Sequence, residues 1–125
     1  MQLKYTWFTL IAALCLSLSL TAHAATKQEM GTVLNLAGKQ RMLTQKMSKE
    51  VLLIAKGVNA DDNKANLQKT AALFDKTLTG LISGDASLGL PKTEDTEILA
   101  QLNRVAGLWM TFHENITAVL KGDTS

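Results

Sequence analysis

The sequence holds one cysteine, one proline and one long apolar run, and each scarcity excludes something. The cysteine, Cys15, lies inside the apolar run between Tyr5 and Leu20. That run follows a short start with a single lysine (MQLK) and ends in Ala22-His23-Ala24, a small-x-small cleavage pattern. Residues 1–24 therefore read as a secretory signal peptide cut after Ala24. A retained membrane anchor is the alternative, although the run is short for a span of ~20 residues. Lipoprotein processing is disfavoured by Leu14 directly before Cys15.

Removal of the signal takes the cysteine with it. Disulfide scaffolds, thiol catalysis and thiolate metal sites are then excluded, and an exported domain must hold itself together by packing alone. No second apolar run of membrane length follows, so residues 25–125 are expected to form one soluble periplasmic domain. Lys4 also leaves, so twelve basic residues face eleven acidic ones. That balance has no clustered basic footprint for nucleic acid. A chain this small buries only part of its apolar surface alone, which makes self-association a reasonable expectation.

What is present is the helical period. β-branched alternation is absent, and three segments carry apolar stripes at steps of three and four. The first runs from about Lys27 to Gly57. The second begins near Asp61-Asp62-Asn63, good N-cap residues, and carries Leu67, Ala71, Phe74, Leu78 and Leu81. It stops at Ser83-Gly84-Asp85, where Gly84 suits a left-handed C-terminal residue. Asp85 to Lys92 reads as a loop around Pro91. The third helix is placed from Thr93, with Glu94, Asp95 and Glu97 at its positive end. Its stripe is Ile98, Leu102, Val105, Trp109, Phe112, Ile116 and Val119. The fold class is all-α: an antiparallel bundle of three helices, which dimerisation can complete to four or more.

The first helix has two stripes. Val33, Leu36, Gln40, Leu43, Met47, Val51 and Ile54 are mostly large and apolar, fit to pack on the other helices. Met30, Leu34, Ala37, Arg41, Thr44, Ser48, Leu52 and Ala55 are apolar at both ends and small or polar in the middle. Asn35, Lys39, Lys46, Lys49 and Glu50 form the expected solvent face. At ~100° per residue, Arg41 lies about 40° from Ala37 and roughly 140° from Lys46, away from the lysines. A guanidinium placed there can have its head in water along an apolar stem. It can also pair with a carboxylate such as Asp75 or Glu114, or hold an anion.

The stretch LNLAGKQRMLTQKMSKEVLLIAKG resembles the opening helix of the PilJ-type domain, the N-terminal domain of type IV pilus methyl-accepting chemotaxis transducers. It is more distantly similar to the P-box helix of nitrate/nitrite sensor kinases. Asn35, Ala37, Gly38, Arg41, Met42 and Gln45 carry the match. Weaker similarity continues through FDKTLTGLISGD and LWMTFHENITAVLKG. The resemblance implies a periplasmic helical bundle that dimerises and holds a small anion, nitrate or nitrite, on the two-fold axis. The motif arginine and the backbone near the motif glycine hold it, here Arg41 and Gly38. The small Ala37 permits close approach of the two helices, and Thr44 offers a polar group.

The relatives continue into a membrane span and a signalling module, whereas this sequence stops at Ser125, so direct transmembrane signalling is not expected of it. The alternative role is a ligand-free interaction module that pairs with a membrane chemoreceptor or sensor kinase. No cofactor and no metal site is expected. His113 is a lone histidine once His23 has left, and Met30, Met42, Met47 and Met110 share no face. No nucleophile–base set or phosphate loop is visible, so an enzyme is not expected.

Overall fold

A computed structural model describes residues 26–124; the expected signal peptide lies outside the described residues. The described residues form three long helices, α1 (Lys27–Ala55), α2 (Ala60–Ser83) and α3 (Thr96–Leu120), with one 3-10 turn at Ala86–Leu88. Among the described residues no helix is long and apolar enough to cross a membrane.

Each helix starts for a local reason. Thr26 caps α1 in a reciprocal box: its hydroxyl accepts from Glu29 N–H, and the Glu29 carboxylate accepts from Thr26 N–H at 2.6 Å. In α2, Asp61 and Asp62 are not the cap but lie in the first turn; Asn59 caps with its backbone in the left-handed region. The acidic pair still faces the positive end of the helix dipole. The end of α2 falls where Gly84 takes φ 84°, and a Cβ there would come within 2.9 Å of the Lys92 nitrogen. Only glycine fits both the angle and the space.

The third helix begins later than its charge pattern suggests. Asp95 is the cap, accepting from Glu97 and Ile98 N–H at 2.9 and 3.0 Å. Thr93 stays outside because its hydroxyl donates to the Leu81 carbonyl at 2.5 Å, tying the loop to the end of α2. Asp85 and Leu90 exchange two backbone hydrogen bonds of 2.9 Å, which folds the loop back over α2.

The helices alternate in direction. Gln40 meets Phe74, Glu50 meets Thr70, and Phe74 in turn stacks on Trp109 with ring centroids 4.3 Å apart. The core is built from Leu43, Met47 and Ile54 of α1, Leu67, Ala71, Phe74 and Leu78 of α2, and Trp109 and Ile116 of α3. The apolar stripes of α1 and α2 are thus used as the period implies. That of α3 is used in part: Trp109 and Ile116 are buried, Leu102, Phe112 and Val119 half-buried, and Ile98 and Val105 exposed. The C-terminal half of α3 docks on the hairpin formed by α1 and α2, and its N-terminal half leaves one flank open.

Candidate functional site

The outer face of α1 follows from the inner one. Because Leu43, Met47 and Ile54 turn inward, the second stripe points away from the bundle, and Met30, Leu34, Ala37, Arg41, Thr44, Ser48, Leu52 and Ala55 are all exposed. Leu34 is 70% exposed and Leu52 60%, so the ends of this strip are large apolar side chains in water. Between them the strip is small. A Cβ built on Gly38 would meet nothing within 4 Å, so packing within the chain does not demand that glycine. A glycine in a helix interior costs about 1 kcal/mol against alanine.

Arg41 sits in the middle of this strip and makes no hydrogen bond or ion pair among the described residues. The carboxylate alternatives are otherwise placed. Asp75 faces α3 and accepts the Trp109 indole N–H at 2.9 Å. Glu114 is exposed on α3, beside Thr117 and Lys121. Among the described residues no carboxylate offsets the charge of this exposed guanidinium.

Shallow depressions flank Arg41 on both sides. Gly38 lines one with Leu34 and Met42; Thr44 lines the other with Ser48 and Leu52. The Thr44 hydroxyl donates to the Gln40 carbonyl at 3.0 Å, which leaves its lone pairs for an outside donor. So Ala37, Gly38, Arg41 and Thr44 share one open face, but one chain does not enclose them.

Behind Arg41 the helix is pinned. Gln40 Nε2 donates to the Phe74 carbonyl of α2 at 3.1 Å, so the residue before Arg41 fixes the seating of α1. Nearly three turns beyond Gln40, Glu50 departs from its expected place on the solvent face. It is 4% exposed, accepts from Thr70 Oγ1 at 3.2 Å, and lies 3.6 Å from Lys46 Nζ. Its burial leaves Lys39, Arg41, Lys46, Lys49 and Lys56 as the exposed charges between residues 39 and 56, all positive. Neither the Gln40 nor the Glu50 contact has a sequence signal, because each depends on a partner at least 20 residues away.

The carboxylate of Asp85, in the loop after α2, lies below its ordinary value near 3.8. The Ser87 hydroxyl is the main cause, bonded at 2.6 Å, helped by the backbone N–H groups of Ser87 and Leu88 and the charge of Lys76, against some desolvation.

The sequence of the chain matches a known family. The profile of the PilJ family, the type IV pili methyl-accepting chemotaxis transducer N-terminal domain, covers residues 23–125. The chain belongs to this family. A relative of this PilJ domain is the methyl-accepting chemotaxis protein McpN of Pseudomonas aeruginosa, 36% identical over 97 residues. The match takes in 78% of the present chain and 17% of McpN, so the chain spans a small part of that protein's length. No solved structure matches the chain.

Proposed function

We propose that this PilJ domain is a periplasmic sensory domain that binds a small oxyanion, nitrate or nitrite, between two copies of α1. Arg41 of each copy donates a forked pair of hydrogen bonds to one planar anion. Arginine suits this better than lysine, because its fork is rigid and weakly hydrated. Backbone near Gly38 approaches the anion, Ala37 leaves room for the crossing, and Thr44 lies one turn below.

One observation carries the reading: among the described residues Arg41 stands without a partner at the centre of an exposed strip whose middle is otherwise small and whose ends are large and apolar. A second copy would cover Leu34 and Leu52 and bring two basic helices together. The two exposed Arg41 guanidinium groups then repel, and an anion between them offsets that repulsion. The likeness to a chemotaxis protein fits a sensory role. The PilJ profile fits a location outside the inner membrane.

Calorimetric titration with nitrate, nitrite, sulfate and chloride, repeated on Arg41→Ala, tests the reading. Binding lost in Arg41→Ala supports it. An equal response in that variant moves the site elsewhere, and no response to any of the four anions favours a ligand-free module pairing with a membrane receptor.

A further inference from the structure

The face of the bundle formed by α2 and α3 carries a groove of about 500 Å³ that the anion reading does not use. Its floor is low because α2 contributes two alanines, Ala71 and Ala72, opposite the bulky Trp109 and Met110 of α3. Asp75 stands on one wall and His113 on the other. No lysine or arginine lines the groove among the described residues, so its single carboxylate has no cation facing it there.

The carboxylate is held, not loose. Trp109 Nε1 donates to Asp75 Oδ1 at 2.9 Å, and the indole is itself fixed between Phe74, with centroids 4.3 Å apart, and His113, at 5.2 Å. The second oxygen, Oδ2, makes no hydrogen bond among the described residues, and Asp75 is exposed. A fixed, half-satisfied carboxylate beside an apolar floor and two aromatic rings is complementary to one kind of small molecule: an organic ammonium with an apolar body.

The geometry points to a second ligand site in this groove, for a primary ammonium compound of that class. Its ammonium donates to Asp75 Oδ2, and its apolar body lies along Ala71, Ala72 and Met110. Burial of the body supplies most of the affinity, and the carboxylate selects positive charge. The site is on α2 and α3 and takes a ligand of opposite charge to the one proposed for Arg41, so either can fail without the other.

The test is a titration of the full chain with 2-phenylethylammonium chloride at constant chloride. It is followed by calorimetry and by the indole N–H resonance of Trp109, identified by its loss in Trp109→Phe. The expected result is a saturable shift of that resonance. Neutral 2-phenylethanol should produce none, and Asp75→Asn should bind at least tenfold more weakly, because asparagine keeps an acceptor for the indole but loses the charge. Ala72→Leu, a substitution at an exposed position, should fill the groove and abolish the shift while leaving the helical content intact. Arg41→Ala should bind as the parent does. No saturable shift, an equal response to the alcohol, or unchanged binding in both Asp75→Asn and Ala72→Leu overturns the site.

Discussion

Trp109 and Asp75 are 34 residues apart in sequence and joined by one hydrogen bond of 2.9 Å, indole N–H to carboxylate, across the seam between α2 and α3. This bond fixes the docked half of α3, because Trp109 is also the buried aromatic that stacks on Phe74. Trp109→Ala removes both contacts and a large apolar side chain, and should cost about 3–5 kcal/mol. Asp75→Ala leaves the packing and should cost only about 1 kcal/mol, since the seam is wet on that side. Urea denaturation of the two variants checks the ordering.

Two glycines in helices should respond to alanine with opposite signs. At Gly38 the added methyl meets nothing within 4 Å, so Gly38→Ala should stabilise the single chain by roughly 0.5–1 kcal/mol through helix propensity. At Gly80 the methyl would fall 2.9 Å from Leu90 Cδ1 and 3.0 Å from Asp85 Cβ, and Gly80→Ala should destabilise by about 1–3 kcal/mol. Thermal melts in anion-free buffer read both. If Gly38 serves close approach to a second copy, its alanine variant should also lose the anion response while melting higher.

Leu43, Met47 and Ile54 are read as inner from period alone, because on a long helix position fixes direction; the period sets Arg41 on a second stripe away from the lysines, and the fold leaves that stripe exposed. Gln40 and Glu50 are different. Each sits at the boundary of a face, and whether it is solvated depends on what α2 brings opposite, Phe74 or Thr70. The start of α3 is misread at Thr93 because a threonine hydroxyl serves a helix end or a distant carbonyl equally well, and Leu81 takes it here. The upper stripe of α3 reads as core because pattern records what is apolar, not what is covered. The Arg41 strip was legible as an unusual strip and as a family motif, whereas the groove at Asp75 was not, since it needs α3 docked before it exists.

Glu50 yields a prediction about burial. One of its oxygens, Oε2, is buried without a protein partner among the described residues, and its ion-pair partner Lys46 is mostly in solvent. Replacing a buried, partly satisfied carboxylate by an apolar side chain of similar length is often neutral or stabilising. Glu50→Met should therefore keep or raise the melting temperature, whereas Lys46→Ala should lower it slightly. A drop in Glu50→Met would show that the Thr70 contact outweighs desolvation.

Asp85 sets an acid-side expectation. Its carboxyl is depressed below the ordinary value near 3.8, so the charged form is favoured in the folded loop. The resulting stability is present above that value and is lost as pH falls through the folded pKa. Ser87→Ala removes the largest cause and should move the Asp85 titration back up towards its ordinary position. Carbon-detected NMR titration of the carboxyl reads this directly.

In the proposed site two Arg41 side chains share one anion. Calorimetric stoichiometry with nitrate decides this. The expected result is one nitrate bound per pair of chains and no binding to Arg41→Ala. One nitrate per chain, with Arg41 still required, would contradict the shared site and place the whole anion site on a single α1.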